Sequence, residues 1–462
     1  MLPKPLQQGS PKQPRRTRHG HFQNALRADV RTREVWAWAM YDFANSGYTT
    51  VVITALFNAY FVAVVAANAP WATFAWTAAL SCSYLLIVFS APVIGAYADL
   101  RAAKKKLLAF TTSGCILFTA LLYFAQPDTL WFAIVCVIMS NFFFGSGENL
   151  IAAFLTEISK TRAMGRVSGW GWSLGYAGGL VTLGLCLLYV TWAEARGQTA
   201  QQFVPVTMLI TAAIFALASM PTFLLLRERA TPQMNKDGMF EAGIISKAWL
   251  RVWQTLRHLR QFADLRRFLI CSLFYQAGIQ AVITLTAVYA NQAMGFTMQQ
   301  TLVLVLVVNI TAAIGAFLFG HFEDRIGHVR FIALTLAGWI VTILLAWAAH
   351  GLTLFWVAAN IAGLCLGASQ SAGRALVGVF APSSRTAEFF GLWGLAVKLA
   401  SIAGPLTYGA ATWLTGGDHR QALLVTGSYF IIGLLLLSGV HTARGRRAAL
   451  HADRLARMPG VA

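Results

Sequence analysis

Four ionisable side chains fall inside long apolar stretches of this 462-residue sequence: Asp42, Glu148, Arg374 and Lys398. A charge near the centre of an apolar spanning helix costs about 2.5 to 3.5 kcal/mol on insertion scales, so such groups turn toward a protein interior or water and take partners. Helical spacing gives them polar or small company on one face. Asp42 shares its face with Asn45 or Ser46 and with Thr49; Glu148 aligns with Asn141, Gly145 and Ala152; Arg374 aligns with Asn360, Gly363, Gly367 and Gln370. A fourth stripe, Gln276, Gln280 and Thr284, carries no charge. Two acids and two bases of this kind suit a ligand bearing both signs, with Arg374 gripping a carboxylate through two parallel hydrogen bonds and Glu148 taking an ammonium. A permanent buried ion pair that fixes packing is the structural alternative.

The elements that must carry these residues follow from composition. A mean hydropathy of +0.60, with 57% hydrophobic and 11% charged residues, describes a membrane protein. Apolar runs long enough to cross a bilayer recur near 40–66, 73–97, 105–125, 130–156, 167–192 and 203–226, and again near 267–291, 300–320, 329–349, 353–376, 388–413 and 421–441. The net charge of +19 could suggest nucleic acid, but the Lys and Arg residues concentrate in alternate connections. The opposite connections hold only Arg196 and Arg420. That asymmetry is topogenic, places both termini in the cytoplasm, and leaves no nucleic-acid partner to explain. Six cysteines lie within apolar runs without CxxC or nearby His, so no metal, cofactor or disulfide framework is expected. The first run is too long for a cleaved signal peptide and reads as a retained helix.

The organisation expected is a basic N-terminal tail (1–35), a six-helix bundle (36–226), a cytoplasmic linker with an interfacial amphipathic helix (227–266), a second six-helix bundle (267–441) and a basic tail (442–462). The bundles repeat in parallel at an offset of 225, which pairs Asp99 of "GAYADLRAAKKK" with Asp324 of "GHFEDRIGHVR", and Gly169, Gly179 and Gly184 with Gly394, Gly404 and Gly409. The fold class is therefore all-α membrane protein, twelve transmembrane helices in two pseudo-symmetric six-helix bundles. The same offset carries Glu148 to Gly373, beside Arg374, so the acid and the base are expected to meet across the bundle interface.

The Gly-x-x-x-Asp loop followed by a basic cluster, present once in each half, resembles the signature loop of the major facilitator superfamily. More narrowly, "WAMYDFANSGYTTVV", "RVSGWGWSLGYAGG" and "EFFGLWGLAVKLASIAGP" resemble the first, fifth and eleventh helices of the fungal autophagy-related vacuolar amino-acid effluxers and their bacterial relatives. The seventh helix departs: "FYQAGIQ" has Gln276 and Ala277 where such relatives tend to carry an acid, so a mechanism using an acid there does not carry over. The resemblance implies alternating access of two bundles around a mid-membrane site lined by helices 1, 4, 7 and 10, with Asp99 and Asp324 as gates. Each gate carboxylate is expected to accept from a neighbouring helix N-terminus and to pair with loop arginines such as Arg325.

These readings converge on a monomeric permease of a bacterial inner membrane for a small polar solute, an amino acid or similar zwitterion. Asn45, Asn141, Glu148, Gln276, Gln280, Asn360, Gln370, Arg374 and Lys398 are the binding candidates. Arg cannot change charge, so protons, if coupled, ride on Glu148 or Asp42, with Asp42 also a gate. Lys398 would bind an anionic group or approach Asp42. An efflux antiporter of organic compounds and a non-transporting sensor are the alternatives; no spanning segment carries a deep His, nor a nucleophile beside a base, so an enzyme is not expected.

Overall fold

The computed structural model describes residues 25–457 apart from 68, 70, 233–248, 251, 255–256, 258–260 and 297. Among them, twelve helices are long and apolar enough to cross a membrane. They are α1 (Thr32–Val65), α2 (Ala72–Arg101), α3 (Lys104–Phe124), α4 (Pro127–Ile158), α5 (Thr161–Glu194) and α6 (Ala200–Leu225) in the first half. The second half contributes α7 (Ala263–Gln292), α8 (Met298–Ile326), α9 (His328–Ala348), α10 (Leu352–Phe380), α11 (Thr386–Leu414) and α12 (His419–Leu437). Helices prevail because hydrocarbon offers backbone groups no partner, so each must be satisfied within its own segment. Phe74, Leu224, Trp413 and Leu435 point outward and are largely exposed, as lipid-facing residues would be.

The two halves pack by one plan. Within the first bundle α1 lies on α5 and α6, α4 on α2 and α3, and α3 on α6; the second repeats this as α7 on α11 and α12, α10 on α8 and α9, and α9 on α12. Between bundles the contacts are α2 with α11, α5 with α8, α4 with α11 and α5 with α10, again related in pairs. Small residues permit these crossings. A Cβ added at Gly95 would meet the Ala387 backbone of α11, and one at Gly391 the Ala91 and Pro92 backbone of α2.

The repeat extends to the α2–α3 and α8–α9 turns, where the backbone runs at φ +47° in Ala102 and +94° in Gly327, residues 225 apart. The two residues share a positive φ but not one conformation: Ala102 is left-handed helical at ψ +52°, unfavourable to an L-residue by about 1 to 2 kcal/mol, whereas Gly327 has ψ +141°.

Two segments lie outside the spans. The C-terminal tail is a helix, α13 (Thr442–Arg457), whose Gly445 packs against Phe380 and whose Arg444 donates from Nε and an Nη to both Asp264 oxygens at 2.7 Å. The amphipathic helix expected in 227–266 falls largely outside the described residues; of its apolar face, Val252 is buried against Ala96 of α2.

Candidate functional site

The two ends of the described chain, near Arg27 and Arg446, lie on one side of the molecule, here the terminal side, and the bundle interface is sealed there first by backbone amides. Asp99, at the end of α2, accepts from the Glu388 amide at 2.9 Å and from Thr386 Oγ1 at 3.4 Å, both in the first turn of α11. Asp324, at the end of α8, accepts from the amides of Gly165 and Arg166 at 3.1 and 3.3 Å at the start of α5. Each carboxylate thus joins one bundle to the exposed N–H groups and positive dipole end of a helix in the other. Their side-chain partners differ from the expected Arg325, which is exposed: Asp324 lies 3.5 Å from Arg166 Nε, and Asp99 3.5 Å from buried Lys104, itself 2.7 Å from Glu157. The helix before the turn presents Asp324 inward and leaves the next residue facing out. In the second bundle Glu323 and His328 also pair.

One layer deeper, Arg374 of α10 crosses to the first bundle. It donates from Nη1 to Asp42 Oδ2 at 2.6 Å, from Nε to Ser168 Oγ at 3.0 Å and from Nη2 to the Ser168 carbonyl at 2.8 Å. Its guanidinium carbon lies 4.7 Å from the Trp38 ring centre and 5.3 Å from that of Trp172. Trp38 is fixed by donation to the Ile151 carbonyl at 2.9 Å. Asp42 is 7% exposed and Arg374 3%, so the pair is sealed from water.

A second inter-bundle pair lies farther from the terminal side: Lys398 Nζ of α11 is 3.1 Å from Glu148 Oε2 of α4. Gly145 leaves room for the lysine stem, and Tyr84 and Phe144 present their rings to the ammonium at 5.6 and 5.7 Å. Here the two partners differ. The Glu148 side chain is 33% exposed and that of Lys398 9%, so the carboxylate faces the unsealed part of the interface.

Glu148 and Arg374, expected to meet, therefore each take another partner, and Lys398 reaches Glu148 instead of Asp42. The cause is the packing order. Cross-bundle contact runs α4 to α11 and α5 to α10, so residues equivalent under the repeat sit across the pseudo-axis from one another without touching.

The neutral candidates divide. Gln276 Nε2 donates to Gln370 Oε1 at 2.9 Å between α7 and α10, and Asn141 Nδ2 to Ser83 Oγ at 2.5 Å between α4 and α2. Asn360 spends an amide N–H on the Trp356 carbonyl of its own helix at 2.8 Å, and Gln280 is half-buried. Asn45 is buried with its Oδ1 unpartnered, as are Ser146 Oγ and Asn149 Nδ2 beside Glu148, and Trp172 Nε1 beside Arg374. Buried polar atoms of this kind are rare unless a ligand or water serves them.

Sequence reasoning missed Ser168, Trp38, Trp172, Tyr84 and Phe144. Trp38 stands four residues before Asp42 and Phe144 four before Glu148, so the i, i+4 spacing was a usable signal. Beyond Asp42, α1 widens into π-helical turns at Thr49–Ala55, with Thr54 Oγ1 donating to the Thr49 carbonyl at 3.0 Å. Such turns recur at functional sites.

Residues 147–450 match the family described as Vacuole effluxer Atg22 like, and residues 2–183 match the Major Facilitator Superfamily. The MFS-type transporter YxiO of Bacillus subtilis (strain 168), itself uncharacterized, is 26% identical over 415 residues, 88% of this chain and 95% of that protein. Autophagy-related protein 22-1 of Aspergillus fumigatus is 25% identical over 337 residues, 66% of this chain; the match spans 54% of that relative's length. Among solved structures, the human organic anion transporter MFSD10 (TETRAN) superposes with a TM-score of 0.67 at 16% identity, covering 88% of this chain and 99% of its own. The proton:xylose symporter XylE gives 0.68 at 13%, covering 91% and 98%. Such low identities speak to the fold alone. With a family match over most of the chain and the twelve-helix arrangement agreeing, the protein belongs to the Atg22-like vacuole effluxer family of major facilitator transporters.

Proposed function

We propose that this transporter carries a small zwitterion, an amino acid or close analogue, by alternating access, as a single chain. The observation that carries the reading is the Glu148–Lys398 pair, which spans the two bundles with its carboxylate facing the open part of the interface. Breaking a partly buried pair without replacing a partner is unfavourable, chiefly for the buried Lys398. A zwitterion supplies both replacements, its ammonium to Glu148 and its carboxylate to Lys398, so the bundles are released only when solute is present. Arg374, whose donors are engaged by Asp42 and Ser168, belongs to the gate beneath, together with Asp42, Asp99 and Asp324. Asn45, Asn141, Gln276, Gln280 and Gln370 complete the polar wall. Glu148 and Asp42 are the groups able to carry a proton. The basic connections support a cytoplasmic terminal side, and a relative matched over 95% of its length is bacterial, which favours a bacterial cytoplasmic membrane.

One observation favours a second reading. The aromatic rings over Lys398 suit an organic anion, which makes export of organic compounds the alternative. Thermal unfolding of purified protein against amino acids, sugars and aromatic carboxylates, followed by flux in proteoliposomes, separates them. A solute at one hundred times its Kd should raise stability by about 2.7 kcal/mol. The zwitterion reading fails if amino acids neither stabilise nor cross, or if Lys398→Ala leaves their flux unchanged.

A further inference from the structure

On the terminal side a cavity of about 630 Å³ opens between the α4–α5 connection and the α10–α11 connection. Its two walls belong to different bundles. Arg27, Lys160, Arg162 and Arg166 face it from the first half; Arg446 and Asp453 of α13 face it from the second. These side chains are anchored through their backbone. Leu26 pairs antiparallel with Ser159, the Arg27 amide donates to the Ile158 carbonyl at 3.3 Å, and the Lys160 amide to the Ala25 carbonyl at 3.0 Å. Across from them, Ala449 of α13 is buried, which seats that helix beside α10.

The charge is one-sided. Asp453 is the single acid on the wall, and it already accepts from the Ser383 and Ser384 amides at 2.9 and 3.3 Å and from Ser384 Oγ at 3.2 Å. Arg166 also lies 3.5 Å from Asp324, and residues 1–24 add Lys4, Lys12, Arg15, Arg16 and Arg18 and no Asp or Glu. A concave surface lined by one sign of charge focuses a field that concentrates counter-ions. Arginine is the side chain whose planar fork matches phosphate oxygens, and four of the five cations are arginines.

We propose that this cavity binds a polyvalent phosphate-bearing anion and, because its walls come from opposite bundles, that the bound anion clamps the terminal side shut. The volume exceeds that of orthophosphate several times over and suits a di- or triphosphate group or a phospholipid headgroup. In transport terms the anion is an inhibitor from the terminal side. That consequence rests on alternating access as read above, whereas the binding does not.

The test uses full-length purified protein. Isothermal titration with ATP, with inorganic phosphate as the weaker comparison, should show binding that Arg162→Gln with Arg446→Gln reduces at least tenfold. Arg446→Gln alone, at an exposed position, should give an intermediate loss and guards against misfolding of the double variant. Arg330→Gln, exposed on the α9 end of the same side and outside the cavity, should change affinity less than twofold. If ATP does not bind, but nanodiscs containing phosphatidylglycerol raise thermal stability over phosphatidylcholine and the double variant abolishes the rise, the occupant is a lipid headgroup and the site stands. Absence of both effects, or effects that survive in the double variant, overturns the site. The clamp is tested with Asp99→Asn, whose contacts with the Glu388 amide and Thr386 join the bundles off the cavity wall. It should weaken anion binding at least fivefold, and unchanged affinity overturns the clamp. Neither titration needs a transported solute, so failure here is distinct from failure of the zwitterion reading.

Discussion

The Asp42–Arg374 pair gives the sharpest test of how the terminal side is held. Replacing Asp42 by Asn leaves the guanidinium buried with Ser168 and two indole faces but no counter-charge. With 7% and 3% of the two residues exposed, water cannot screen the loss. Removing one member of a buried pair costs about 3 to 5 kcal/mol. The asparagine carbonyl still accepts one hydrogen bond, worth about 1 kcal/mol net, so we expect a loss of about 2 to 4 kcal/mol. Arg374 regains water when the side opens, so the penalty falls on the sealed arrangement. At 1.36 kcal/mol per factor of ten, the closed-to-open ratio should drop roughly 30- to 900-fold. Spin labels on Lys106→Cys and Arg330→Cys, exposed on opposite bundles, read this as a shift to longer distances by pulsed electron resonance. Cys82, the exposed native thiol among six, is first changed to Ser. Arg374→Gln added to Asp42→Asn removes the orphaned charge and should recover at least about 1.5 kcal/mol of the summed single losses. If the double variant equals the sum of the singles within about 0.5 kcal/mol, the pair does not hold the gate.

Three further outcomes are expected. Gly95→Val should shift the same label pair toward the open arrangement, because its Cβ would lie 2.8 Å from the Glu388 amide nitrogen of α11; an unchanged distance distribution refutes the crossing as a closure contact. Gly327→Ala should lower thermal stability by about 1 kcal/mol or more, whereas Ala102→Gly should leave it equal or raise it by up to about 1 kcal/mol, since both positions run at positive φ from different starting residues. Two losses of equal size would count against the shared strain. Finally, solute flux by the wild type should follow an imposed pH gradient and flux by Glu148→Gln should not; equal gradient dependence would remove Glu148 as a proton carrier.

Periodicity and composition suffice for the twelve spans because each is specified locally: about twenty apolar residues satisfy their own backbone in lipid whatever their neighbours do. The parallel repeat was legible for a related reason, since the offset of 225 preserves turn residues and crossing glycines that a shared packing plan demands, as Gly179 against α1 and Gly404 against α7 illustrate. The α13 helix was harder to read. Its buried face rests on small residues such as Gly445 and Ala449, which give little apolar contrast against a basic background.

The sequence by itself determined which side chains are charged within the membrane and which face of its helix each occupies, because both depend only on composition and 3.6-residue spacing. Tertiary structure alone decided who meets whom. Arg374 took Asp42 and Ser168, Lys398 took Glu148, and Asp324 took the α5 amides, because a helical face does not encode the helix it will meet. That choice belongs to the order of packing, where α4 lies on α11 and α10 on α5, and it is set by contacts between residues hundreds of positions apart.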